Sequence, residues 1–140
     1  MRGMLAEPVV LALSLAYLGC CSPTDPFYLR TRDLVLSAGN PWFHRRRAGE
    51  GIGSPHTPGN RIWPISIMMR ALTSTSDAEL ASCLKMLAAT DAGTGFMHEA
   101  FDADDPSQYS RPWFAWANSL FGELMLDVAT RRPEVFRQLD

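Results

Sequence analysis

Two helical segments that follow each other closely constrain this chain more than any other feature. The second begins with the capping box Ser76-Asp77-Ala78-Glu79 and is expected to end near Thr90. The first covers about residues 63–73, where the apolar residues recur at helical spacing: Ile62, Ile65, Met68, Met69 and Leu72. Because only a few polar residues join the two segments, they predict an antiparallel helical hairpin.

Two further helices are predicted on either side of this hairpin. Asp25 followed by Pro26 is typical of a helix start, and that helix is expected to run to about Ser37. The other covers about residues 112–130 and ends before Pro133. Long loops are predicted over residues 41–60 and 91–111, and no run alternates clearly enough to indicate a strand. The predicted fold class is therefore all-α, a few helical hairpins with long loops.

Composition and charge argue against a nucleic-acid-binding function. The chain has 140 residues, 46% hydrophobic and 20% charged, which is typical of one globular domain. Its formal net charge is −2, so it lacks the basic excess of a nucleic-acid-binding protein. The short run Arg45-Arg46-Arg47 is interpreted as a solvated loop.

The first residues allow two interpretations. Arg2 followed by the apolar run 8–18 is compatible with a secretory signal, but Glu7 and Tyr17 fit such a signal poorly, which favours a buried structural segment. The run is too short for a helix that spans a membrane, and no membrane partner is predicted.

Metal and cofactor chemistry find little support in the sequence. Cys20, Cys21 and Cys83 show no zinc-ligand spacing, and the three histidines form no HExxH motif. The acidic run that includes Asp102 and Asp104 does not fit a calcium loop. No metal and no cofactor are therefore predicted.

The segment 90–105 carries the residues best suited to chemistry. Gly93 and Gly95 permit a tight turn, and His98 and Glu99 follow directly. A carboxylate beside aromatic rings can act as a general acid or base, although an ordinary surface loop remains the alternative.

Aromatic residues follow this segment in the run Trp113-Phe114-Ala115-Trp116. An indole face can stack on the apolar face of a sugar ring or fill a core. Helical spacing with Leu120 predicts that Trp116 is a core residue, whereas Trp113 is the better candidate for the wall of a site. Hydrogen bonding to a polar ligand is the simplest role for His56 and His98.

Several sequence motifs, taken in order, resemble the C-terminal third of glycoside hydrolase family 125, the metal-independent α-mannosidases. The likeness covers about residues 15–133. The motifs are Gly51-Ile52-Gly53-Ser54-Pro55-His56, Ile62-Trp63-Pro64-Ile65-Ser66, Thr94-Gly95-Phe96-Met97-His98-Glu99, Asp104-Asp105-Pro106 and Arg111-Pro112-Trp113-Phe114-Ala115-Trp116-Ala117-Asn118-Ser119-Leu120-Phe121.

This resemblance implies that residues 1–140 form a C-terminal part of an (α/α)6 toroid. It also implies an exo-acting, inverting hydrolase of α-1,6-linked mannosides that uses no metal. The family's general base corresponds to Glu99, while its general acid, an upstream Asp, has no counterpart in this sequence. The residues expected to bind substrate are His56, His98, Arg111, Trp113 and Trp63.

Three functional hypotheses follow. The leading one is a glycosidase fragment that is inactive alone and needs an N-terminal part of its own domain as partner. The second is a helical module that binds a glycan without cleaving it. The third is an active enzyme that uses an acid within this chain, such as Asp91 or Asp102.

Overall fold

The fold is given by a computed structural model that describes residues 6–139. Within that range it contains five α-helices, five short strands and a final 3-10 helix. The helices are α1 (Ala6–Ser14), α2 (Pro26–Val35), α3 (Pro64–Leu72), α4 (Asp77–Ala89) and α5 (Ala115–Arg131), and the 3-10 helix is Pro133–Gln138. The strands are β1 (Phe43–Arg46), β2 (Gly49–Ile52), β3 (Arg61–Ile62), β4 (Ala100–Asp102) and β5 (Tyr109–Ser110).

The four predicted helices are confirmed, although α5 begins three residues later than predicted, at Ala115. Asp25 caps α2 by accepting hydrogen bonds from the backbone N–H of Phe27 at 2.8 Å and of Tyr28 at 3.1 Å. Ser76 caps α4 by accepting a hydrogen bond from the backbone N–H of Glu79 at 3.3 Å. The helices α3 and α4 pack against each other as the predicted hairpin.

Helix α3 lies at the centre of the packing. It contacts α1, α4, α5 and β2, and seven of its nine residues are buried. The helix therefore lies inside the core, and its one charged side chain, Arg70, is used in ion pairs with Glu50 and Glu79. The fully buried side chains that surround the helix include Leu13, Ile52, Leu80, Leu87, Phe101 and Leu124.

The all-α prediction is wrong, because the chain forms two antiparallel sheets, and four of the five strands lie in the segments predicted as loops. Strands β1 and β2 form a hairpin in which Phe43 pairs with Ile52. Strands β3, β4 and β5 form a second sheet in that order. The strands contain only two to four residues, too few to show a period-two pattern, and β1 and β2 are rich in Arg and Gly. This chain is therefore mixed α/β.

The end of β2 passes directly against the second sheet. A side-chain atom on Gly53 would lie 2.0 Å from the backbone oxygen of Arg61, far closer than contact distance. Only glycine allows this approach. The end of β2 is thereby held close to the backbone of β3.

The N-terminal segment forms part of the fold. Leu13 of α1 is fully buried, as expected for a structural segment. Arg2 and the other residues of 1–5 lie outside the described residues. In residues 6–139, no helix combines the length and apolar character needed to cross a bilayer.

A cluster of charges ties α2, α3 and α4 together. The carboxylate of Glu79 accepts hydrogen bonds from Arg32 at 2.8 Å, from Arg70 at 2.7 Å and from Ser74 at 2.6 Å. Arg70 also pairs with Glu50 at 2.6 Å. Burial raises the pKa of Glu79, but the hydrogen bonds from Arg32, Ser74 and Arg70 outweigh it and lower that pKa from 4.5 to about 2.

We predict that this cluster makes the fold acid-sensitive. A carboxyl whose pKa is lower in the folded state stabilises the fold above pH 4.5, and this contribution is lost as pH falls towards 2. The loss is at most about 3 kcal/mol, and partial solvent screening reduces it. Urea unfolding between pH 7 and pH 2.5 should show a steeper loss of stability for the native chain than for Glu79→Gln. Glu134→Gln, at an exposed position, is the control. An equal loss of unfolding free energy with falling pH in all three proteins would contradict the prediction.

Candidate active site

The Glu99 carboxylate is held through one of its two oxygens. The side chain of Glu99 is 17% exposed. Its Oε2 accepts a hydrogen bond from the Ser110 hydroxyl at 3.0 Å and lies 3.4 Å from Nε of Arg111. The backbone N–H of Glu99 donates to the carbonyl of Ser110 at 3.2 Å. Glu99 is thus fixed to β5 by both backbone and side chain.

Asn118 attaches Met97, two residues before Glu99, to helix α5. Its Oδ1 accepts from the backbone N–H of Met97 at 3.0 Å, and its Nδ2 donates to the Met97 carbonyl at 2.9 Å. The same Nδ2 donates to the Phe114 carbonyl at 2.8 Å. One amide side chain therefore satisfies both polar groups of a backbone unit, as a neighbouring strand would.

The turn that leads to Glu99 is organised by Asp91. Its two carboxylate oxygens accept backbone hydrogen bonds, from Gly93 at 2.9 Å and from Gly95 at 3.1 Å. Gly93 and Gly95 have φ values of 72° and 73°, where glycine is strongly preferred. The predicted tight turn is confirmed, and the Asp91 carboxylate is used to build it.

His98 is a fully buried support for the same turn. Its ring stacks on Tyr109 with centroids 3.9 Å apart and an interplanar angle of 5°. Nδ1 lies 2.9 Å from the Pro112 carbonyl, and Nε2 lies 3.1 Å from the Asp91 carbonyl. Both ring nitrogens therefore face backbone acceptors, which places His98 behind the site and leaves neither nitrogen directed at a ligand.

Both tryptophans of the run 113–116 are exposed, including the one predicted to be a core residue. Trp113 is 57% exposed and Trp116 is 63% exposed. The prediction that Trp116 is a core residue is wrong, because the buried stripe of α5 begins one position later, at Ala117. Phe96, also half-exposed, adds a third ring to this region of the chain.

Trp63 and His56 belong to the loop between β2 and α3. Strand pairing places Ile62 opposite Phe101, and continuing that register by one residue puts Trp63 opposite Ala100, next to Glu99. The indole N–H of Trp63 donates to the Thr57 hydroxyl at 2.8 Å. His56 is exposed, and its backbone N–H donates to the Ser54 hydroxyl at 3.2 Å. The sheet therefore brings Trp63 to the Glu99 end, and His56 lies on the adjoining loop.

The structure also identifies residues that the sequence pattern did not. Ser110 and Asn118 make the contacts that fix Glu99, yet they lie 11 and 21 residues from their partners. No local signal marks Ser110. An Asn in the first turn of a helix is a weak indication of side-chain bonding to backbone. Asp102 uses Oδ1 to accept the backbone N–H groups of Asp104 and Asp105.

Comparison with known proteins identifies the family. A sequence model of the metal-independent alpha-mannosidases (GH125) matches residues 8–126. The chain belongs to glycoside hydrolase family 125. It is 44% identical over 127 residues to the Meiotically up-regulated gene 157 protein of Schizosaccharomyces pombe, a match that covers 90% of this chain and 25% of that protein.

A solved relative has a closely similar fold. It is a metal-independent alpha mannosidase of Streptococcus pneumoniae, described as a non-productive substrate complex with alpha-1,6-mannobiose. The two share 46% identity with a TM-score of 0.83, over 86% of this chain and 28% of the solved chain. The chain thus spans about a quarter of the length of these family 125 relatives.

We predict that Asn118 is essential for the stability of this family 125 segment. Asn118→Ala leaves the Met97 N–H without its partner and removes one of the two donors to the Met97 carbonyl, which keeps the Phe114 N–H at 3.2 Å. A buried unsatisfied polar group costs about 1–3 kcal/mol. Thermal unfolding should therefore show a clearly lower midpoint for Asn118→Ala. Ser119→Ala, at an exposed position of the same helix, should change stability by less than about 0.5 kcal/mol. Equal midpoints for the two variants would show that the Asn118 contacts contribute nothing.

Proposed function

We propose that Glu99 is the general base of an inverting exo-α-mannosidase acting on α-1,6-linked mannosides. This proposal rests on the unequal contacts of the two carboxylate oxygens. Oε2 accepts a hydrogen bond from Ser110 and lies near Arg111. In residues 6–139 no hydrogen bond reaches Oε1. That oxygen can accept the proton of an attacking water.

An inverting glycosidase also needs a carboxylic acid on the other side of the sugar ring, typically about 6.5–9.5 Å from the base. Asp91 and Asp102 were the candidates within this chain. Both use carboxylate oxygens to accept backbone N–H groups of their own turns. We therefore assign the general acid to a part of the family 125 domain that this sequence does not contain, and we propose that residues 1–140 are a C-terminal segment of that domain.

The surroundings of Glu99 suit a sugar. Trp113 offers an exposed ring face and Arg111 a guanidinium group that is 65% exposed. Trp63 lies at the same end of the sheet, and its indole N–H binds Thr57, the residue after His56. We propose that His98 positions the loop and that four residues bind the mannoside: His56, Trp63, Arg111 and Trp113. The mannobiose complex of the Streptococcus pneumoniae relative supports this ligand class.

A glycan-binding module without catalytic activity is the second candidate. The exposed rings of Phe96, Trp113 and Trp116 favour it, because several exposed aromatic rings can bind sugar faces without any acid or base. This candidate predicts that sugar binding is independent of the Glu99 carboxylate.

We predict that this chain completes an active enzyme when it replaces its counterpart in a relative. The chimera consists of the Streptococcus pneumoniae enzyme with residues 8–126 of this chain in place of the matching segment. It should release mannose from α-1,6-mannobiose, whereas the 140-residue chain alone should show no turnover. Glu99→Gln in the chimera should lower kcat by at least about 10²–10⁴-fold, because an amide cannot take a proton from water.

The control is Glu123→Gln, which changes an exposed carboxylate of α5 that binds Tyr17. It should leave kcat unchanged, and Glu99→Gln should leave mannobiose affinity nearly unchanged. Turnover by the isolated chain would favour an acid within it. Full activity of the Glu99→Gln chimera would exclude Glu99 as the base and favour the binding-module function.

A further inference from the structure

We propose that Ser110 is a positioning residue that orients the Glu99 carboxylate and thereby reserves Oε1 for the attacking water. The inference rests on the proposed function of Glu99. In that reaction a water proton moves to Oε1 while the water oxygen bonds to the anomeric carbon. The glycosidic C–O bond breaks, and the leaving oxygen takes its proton from the carboxylic acid supplied by the rest of the domain.

Ser110 holds Glu99 at two points. Its carbonyl accepts the backbone N–H of Glu99 at 3.2 Å, and its hydroxyl donates to Oε2 at 3.0 Å. Ser110 lies directly opposite Ala100 in the pairing of β5 with β4, so the first contact extends the ladder by one residue. The second contact fixes the end of the Glu99 side chain relative to that ladder.

The hydroxyl contact matters because the terminal torsion of a glutamate is broad and nearly two-fold. Without a donor on one oxygen, the carboxylate samples many orientations, and few of them direct a lone pair at the water. With Ser110 on Oε2, the plane of the carboxylate is set. A displacement of about 1 Å in a reacting group can cost roughly 10²-fold in rate.

Arg111 contributes less to this orientation than Ser110. Its Nε lies 3.4 Å from Oε2, and its side chain is 65% exposed. An exposed charge at that distance is largely screened by solvent and holds geometry weakly. The shorter contact, made by a residue of a paired strand, is therefore the one that sets the plane.

The test compares Ser110→Ala, Ser110→Thr and Ser107→Ala in the chimera described above. Ser107 is the matched control, because its hydroxyl binds Asp105 at 2.7 Å in the loop between β4 and β5. We expect Ser110→Ala to lower kcat by roughly 10–100-fold with KM changed by less than about twofold. Ser110→Thr keeps the hydroxyl and should restore most of the activity, and Ser107→Ala should match the native chimera.

Hydrogen exchange in the 140-residue chain separates positioning from unfolding. The Glu99 amide should stay protected in Ser110→Ala, because its acceptor is a backbone carbonyl that the substitution leaves in place. Loss of that protection, a parallel rise in KM, or failure of Ser110→Thr to restore kcat would overturn the inference.

The same set of variants distinguishes an error in the role of Ser110 from an error in the proposed function of Glu99. If Glu99→Gln abolishes turnover and Ser110→Ala has native kcat, only the role of Ser110 is wrong. If Glu99→Gln retains activity, the proposed function itself fails. A folded native chimera without any turnover would count against both.

Discussion

The attachment of the Glu99 loop to helix α5 is the constraint on which the rest of the site depends. Asn118 satisfies the N–H and C=O groups of Met97, and the buried ring of His98 bridges the carbonyls of Asp91 and Pro112. The loop has little regular structure of its own, so these two side chains replace the hydrogen bonds that a strand or helix would provide. Because α5 packs on the buried helix α3, the position of Glu99 is tied to the core.

The residues that fix the loop differ from those that are accessible to a ligand. The residues that fix the loop, Asn118 and His98, have their polar atoms committed to backbone groups. The residues available to a ligand, Trp113 and Arg111, are exposed and come directly after strand β5. The supporting side chains face the backbone of the loop, whereas Trp113 and Arg111 face solvent. Because the chain belongs to family 125, we interpret this geometry in terms of glycoside hydrolysis.

The sequence predicted local structure well and long-range structure poorly. The caps at Asp25 and Ser76 are local signals, and both helices begin where those signals place them. Strand β3 has only two residues and exists because it pairs with β4, about 40 positions away, which no local pattern encodes. Ser110 was missed for the same reason, since only the pairing of β4 with β5 brings it to Glu99. The proposed role of Glu99 came from family resemblance, because spacing alone favoured an ordinary surface loop over a catalytic one.

The stereochemistry of the first-formed product tests the central claim most directly. Proton NMR during hydrolysis of α-1,6-mannobiose by the chimera reports which mannose anomer is released before mutarotation. If Glu99 activates water on the opposite side of the ring from the leaving group, β-mannose forms first. Initial release of α-mannose would mean that a carboxylate acts as a nucleophile, and it would contradict the assignment of Glu99 as the general base.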